Sequence, residues 1–180
     1  MLTELQARKW TRLFHVYDAN GNGVVEKDDY EEIFQNVVAS RNLISGTPEY
    51  DRLYAEFMSD WEELRKDADK NNNGKIELSE WLEHGDRRSN NTEMYQTVLD
   101  LASHIFELLD LNGDGAISLE EYKTFYRSWR LSEELAAEIF PKLDLDDDGG
   151  ISKKEFMVLI WQFHHSDDPD APGNLFFGPY

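Results

Sequence analysis

Four windows of twelve residues in this chain share one pattern, and no other feature restricts its fold so tightly. They are DANGNGVVEKDD (18–29), DKNNNGKIELSE (69–80), DLNGDGAISLEE (110–121) and DLDDDGGISKKE (144–155). Each places an oxygen-bearing side chain at positions 1, 3 and 5. Gly follows at 6, Val or Ile at 8, another oxygen side chain at 9 and a carboxylate at 12. One stretch rich in Asp, Asn and Gly is ordinarily a turn. Four full-length matches flanked by helical patterns need a common physical cause. The windows hold sixteen of the 37 acids within 48 of the 180 residues, so the acidity sits where the pattern puts it.

The spacing is that of an EF-hand calcium loop. Calcium takes six to eight oxygens at about 2.3–2.6 Å, and alternation aims side chains 1, 3 and 5 at one centre. Gly at 6 permits the sharp turn. Position 7 gives a backbone carbonyl, so its side chain varies. Position 8 is β-branched, as suits a short strand paired with the neighbouring loop. Position 9 acts through water, and position 12 closes the cage from the exiting helix. The candidate ligands are therefore Asp18, Asn20, Asn22, Val24, Glu26 and Asp29; Asp69, Asn71, Asn73, Lys75, Glu77 and Glu80; Asp110, Asn112, Asp114, Ala116, Ser118 and Glu121; and Asp144, Asp146, Asp148, Gly150, Ser152 and Glu155. Up to four calcium ions are expected. Loops three and four carry the most carboxylates and should bind most strongly. In the first loop the closing residue is Asp29, one methylene shorter than Glu. One oxygen from it gives the six-coordination that magnesium prefers, so magnesium is a second expected ion at 18–29. If the helix shifts inward instead, calcium binds there normally.

The flanks support helix–loop–helix units. Leu13, Phe14 and Tyr17, then Ile105, Phe106 and Leu109, then Ile139, Phe140 and Leu143 form helical apolar faces before loops one, three and four. Leu64, Arg65 and Ala68 form a weaker one before loop two. Tyr30, Trp81, Tyr122 and Phe156 follow the four loops directly and are expected in the core. Ser118 and Ser152 stand three residues before Glu121 and Glu155, a capping-box spacing. Thr47-Pro48 gives an N-cap and first residue of a long helix, and Pro141 should bend the helix entering loop four. The expected fold is all-α: four hands in two facing pairs, compact, with short β-bridges between paired loops. Residues 1–87 form the first pair and 88–165 the second. The pairs meet near HGDRRSNN (84–91), too short for a loose linker. In 166–180, Pro and Gly exclude a helix, yet Leu175, Phe176, Phe177 and Tyr180 are apolar, so this tail should pack on the core.

Composition excludes several function classes. Eighteen basic residues against 37 acids give a formal charge of -19. That argues against nucleic acid, whose phosphates need basic partners, and against anionic membranes. With no cysteine there are no disulfides or thiolate metal sites. MLTELQARKW lacks the apolar run of a signal peptide, and no stretch approaches the ~20 apolar residues of a membrane span. A soluble, cytoplasmic monomer is expected.

Four hands, a long connection in the first pair, an aromatic core and a short apolar tail resemble the sarcoplasmic calcium-binding proteins. Their relatives calerythrin, the luciferin-binding proteins and the calcium-triggered photoproteins share this form. The resemblance spans essentially the whole chain and implies a compact molecule with facing pairs. It departs from the family in that all four loops look usable. Three functions follow. The first, favoured here, is a calcium buffer or signal modulator without enzymatic activity. The second is a sensor that opens a Met-rich groove for target proteins, against which stand only four Met, namely Met1, Met58, Met94 and Met157. The third is a protein holding an apolar luciferin. For a photoprotein the resemblance implies a His, Trp and Tyr set, to which His15, His104, Trp81, Trp161 and Tyr180 could contribute. His164-His165, beside Ser-Asp-Asp, is expected to be solvated.

Overall fold

The computed structural model describes residues 1–90 and 95–180; for 95–98 and 101 it describes the backbone only. Its helices are α1 (Glu4–Tyr17), α2 (Lys27–Arg41), α3 (Pro48–Ala68), α4 (Leu78–Asn90), α5 (Tyr95–Leu109), α6 (Leu119–Ser128), α7 (Glu133–Leu143) and α8 (Lys153–His165). Three-residue strands β1 (Val24–Glu26), β2 (Lys75–Glu77), β3 (Ala116–Ser118) and β4 (Gly150–Ser152) lie within the four loops. β1 pairs antiparallel with β2, and β3 with β4. Val25 faces Ile76 in one ribbon and Ile117 faces Ile151 in the other, all four fully buried. The β-branched residue at position 8 thus joins each pair of loops through backbone bonds and a closed apolar contact. No helix among the described residues is long and apolar enough to cross a membrane.

Local signals act where the sequence places them. Thr47 caps α3 by accepting from the Tyr50 N–H, with Pro48 as first helical residue. Ser118 and Ser152 each form a complete capping box with Glu121 and Glu155. Pro141 lies inside α7, which continues to Leu143. Tyr30, Trp81, Tyr122 and Phe156 are all buried. Residues 84–90 are the final turns of α4, so the expected boundary at 87–88 falls inside a helix; residue 91 and Met94 lie outside the described residues.

Helices of the two pairs pack directly on each other. Asn36 of α2 donates to the Ser128 carbonyl of α6 at 3.1 Å, and Arg130 pairs with Glu32 at 2.9 Å. Phe57 of α3 lies 6.5 Å from Trp129, ring centre to ring centre. Lys9 of α1 is fully buried, and its ammonium donates to Gln162 O (3.0 Å), Ser166 O (2.8 Å) and Asn174 Oδ1 (2.9 Å). Burial lowers this amine to about 8, but three converging acceptors compensate the lost water. Lys9→Met would strand those acceptors. It should cost roughly 2–4 kcal/mol, measurable as a lower urea midpoint at fixed calcium.

The tail folds back over α6 and α8. Contrary to the expectation that Pro and Gly exclude a helix, Pro172–Leu175 makes one 3-10 turn. Pro172 suits its first position, where no N–H is needed. A Cβ on Gly173 would stand 2.2 Å from the Leu159 carbonyl, so only glycine allows this approach. Phe176 and Phe177 are buried, and Tyr122 and Tyr126 both donate to the Phe176 carbonyl.

Candidate metal sites and the central cavity

Each loop is closed by two carboxylates that accept backbone N–H bonds. The position-1 Asp accepts from the glycine at position 6: Asp18 from Gly23 (2.9 Å), Asp69 from Gly74 (2.9 Å), Asp110 from Gly115 (2.9 Å) and Asp144 from Gly149 (2.8 Å). Those glycines have φ of 80–96°, the left-handed region that bends the chain around the centre. The position-12 carboxylate reaches back to position 9 with one oxygen and to the start of the loop with the other. Glu80 accepts from Glu77 and Lys70, Glu121 from Ser118 and Leu111, and Glu155 from Ser152 and Leu145. In loops three and four the serine hydroxyl at position 9 also donates to that carboxylate, at 2.8 and 2.7 Å.

The donor set fits a hard cation. Side-chain oxygens of Asp144, Asp146 and Asp148 approach within 4.8 Å of one another. Like charges so close repel unless a cation lies among them. In each loop the position-1 and position-12 carboxylates are buried or nearly so, while positions 3 and 5 stay open to solvent.

Loop one differs. Asp29 is fully buried and accepts from Glu26 (2.9 Å) and Asn20 (3.2 Å), but its shorter side chain does not bond position 2, as the three Glu residues do. Burial raises its carboxyl above the usual range, against the two N–H bonds, which lower it. Glu26 accepts from Asn22 Nδ2 at 2.7 Å and pairs with Lys75 of loop two at 3.3 Å. Loops one and two thus touch through side chains as well as through their strands.

A cavity of about 690 Å³ lies between the two pairs. Its inner wall includes Trp10, Trp81, His84 and His164; its mouth includes Asp60, Glu63, His104 and Glu107. His164 is not solvated as expected: it is buried, edge-on to Trp10 at 5.1 Å, and burial pushes it down to about 3. A polar residue on a helix face looks solvent-bound until the opposing helix is known. The implied His, Trp and Tyr set is not gathered here. Trp81 and His104 line the cavity, but His15 is exposed, and Trp161 is 43% exposed and stacked on His165. Trp10, His84 and Arg88 escaped notice because only tertiary packing brings them together.

Two antiparallel ribbons, each joining a pair of oxygen-lined loops between helices, define an EF-hand protein. Family models agree: an EF hand at residues 11–34 and EF-hand domain pairs at 60–127 and 123–160. Sarcoplasmic calcium-binding proteins I, III and IV of Branchiostoma lanceolatum are 22% identical over 138 residues, 72% of this chain and 73% of theirs. The sarcoplasmic calcium-binding protein of Scylla paramamosain is 30% identical over 121 residues, 61% of this chain and 58% of its own. The coelenterazine-binding protein of Renilla muelleri, in its calcium-loaded apo form, superposes with a TM-score of 0.77 at 23% identity, covering 99% of this chain and all of that one. The amphioxus sarcoplasmic calcium-binding protein gives 0.74 at 19%, covering both chains fully. The chain belongs to the EF-hand proteins and is a homologue of the sarcoplasmic calcium-binding proteins. It is a calcium-binding protein.

Proposed function

We propose that all four loops hold metal through the position-1, -3, -5, -7, -9 and -12 residues named above, and that the protein acts as a calcium buffer or modulator in the cytoplasm, without catalysis. The occupied groove carries this reading. In a sensor, calcium opens a pair of hands and exposes an apolar groove. Here Phe176 fills the second pair, 5.3 Å from Phe156 and 5.7 Å from Tyr122 between ring centres. The experiment is retention on a phenyl matrix with and without calcium. A buffer passes through in calcium; calcium-dependent retention supports the sensor reading instead.

Loop one supports a mixed calcium and magnesium site. Asp18 and Asp29 are its only carboxylates among positions 1, 3, 5 and 12, and Asp29 stops one peptide short of the reach of Glu. Asp29→Glu should raise the calcium-to-magnesium preference of this site alone. Calcium titrations in millimolar magnesium check it: equal first-loop affinities in wild type and variant end the idea.

A second reading, a carrier of an apolar small molecule, is favoured by the cavity. Its volume falls within the ~300–1,000 Å³ of small-molecule sites. One solved neighbour is named for binding coelenterazine; at 23% identity that likeness concerns the fold, and the cavity itself supports the reading.

A further inference from the structure

The cavity wall has one polar group left over. Most of its buried donors are engaged: Trp10 Nε1 donates to Ser89 Oγ at 3.1 Å, Ser89 Oγ to the His164 carbonyl at 3.0 Å, and Trp81 Nε1 to the Trp10 carbonyl at 2.9 Å. His84 Nδ1 is bonded to Asp67, and His164 Nδ1 lies 3.2 Å from the Ile160 carbonyl. Arg88, on the last turn of α4, lines the same cavity, and its Nε is the one buried side-chain nitrogen or oxygen among the described residues that no partner meets. Its neighbour Arg87 is committed elsewhere, to Glu83 at 3.1 Å and Asp67 at 3.3 Å.

A buried donor without a partner is unfavourable, and more so when it is charged. Among the described residues no carboxylate makes an ion pair with Arg88, although the mouth is acidic. His84 and His164 are both shifted toward the neutral form, mainly by burial. The Arg88 guanidinium lines the cavity together with Trp10, Trp81, Tyr17 and Tyr30, and the carboxylate that feels its charge, Asp60, is exposed. A planar guanidinium that shares a cavity wall with aromatic side chains suits an oxyanion on a flat apolar body.

We propose that this cavity binds an aromatic or polycyclic ligand bearing an anionic oxygen group, a carboxylate or sulfonate, which Arg88 receives. The proposal rests on the carrier reading and adds the chemistry of the ligand. The acidic mouth, with Glu56, Asp60, Glu63 and Glu107, disfavours a second anionic group at the outer end. The ligand therefore carries its charge at one end only.

Two matched dyes test it on the calcium-saturated full chain: anilinonaphthalene sulfonate and its uncharged analogue phenylnaphthylamine. Wild type should bind one sulfonate dye, at least about tenfold more tightly than the uncharged one. Energy transfer from tryptophan locates the dye near Trp10 and Trp81. Arg88→Met should remove that preference while leaving phenylnaphthylamine affinity within about twofold; Arg88→Lys should restore part of it. Calcium stoichiometry reports that the variants are folded. If Arg88→Met does not fold, the wild-type preference and Arg88→Lys decide. Equal binding of both dyes to wild type overturns the role of Arg88 and leaves the carrier reading standing. So does sulfonate binding unchanged in Arg88→Met, which would mean that Arg88 is merely solvated. Binding of neither dye overturns the carrier reading itself.

Discussion

Removing calcium from the saturated protein lowers its melting temperature by about 20 °C. Sixteen acids crowd into four loops of a chain with formal charge -19, and four calcium ions would bring that charge to -11. The loop carboxylates converge only in the folded state, held by N–H groups of their own loop, as Asp144 and Glu155 are by Gly149, Leu145 and Ser152. Binding energy therefore becomes folding energy. A site at a hundred times its dissociation constant adds about 2.7 kcal/mol. Three such sites add about 8 kcal/mol, and a domain of this size gains about 2–4 °C per kcal/mol. Scanning calorimetry in chelator and in excess calcium gives the answer. Coincident melting curves would mean that the loops are not coupled to folding.

Glu121→Gln and Glu155→Gln should each weaken calcium binding on the order of tenfold or more, and more than Glu80→Gln does. Loop three offers Asp110, Asp114 and Glu121; loop four offers Asp144, Asp146, Asp148 and Glu155; loop two has only Asp69 and Glu80 at the same positions. The serine hydroxyls of Ser118 and Ser152 also hold the closing carboxylates in place, a contact that Glu77 cannot supply in loop two. Both closing Glu residues stand at N3 of their helices, so the one oxygen of Gln can keep the capping contact, while the charge and the second acceptor oxygen are lost. Titration of each variant isolates the lost site. A larger loss for Glu80→Gln would reverse the ranking.

How much of this could be read from the sequence depended on distance along the chain. Loop turns and helix caps are set by residues within a dozen positions, so the twelve-residue pattern carried them; the strand pairing joins distant loops, as Val25 with Ile76, and was legible because each loop repeats a β-branched residue at position 8. The four aromatics after the loops were legible because each sits at a fixed place on an exiting helix. Lys9 was not: its three acceptors lie 153, 157 and 165 residues away. His164 looked solvent-bound beside His165 and a run of acids, yet α1 covers it with Trp10. The cavity was invisible for the same reason. Helical spacing shows which face is apolar, but not whether the facing surfaces close or leave space. The tail lay between these cases: its aromatics required cover, whereas the approach of Gly173 to Leu159 appears only in three dimensions.

Counting bound ions in magnesium-free buffer tests the four-site reading most directly. Flow dialysis of calcium should give four ions per chain, falling by one with each of Asp29→Asn, Glu80→Gln, Glu121→Gln and Glu155→Gln at the lowest concentration that saturates the wild type. Fewer than four ions in wild type, or a position-12 variant that still binds the full complement, would contradict it.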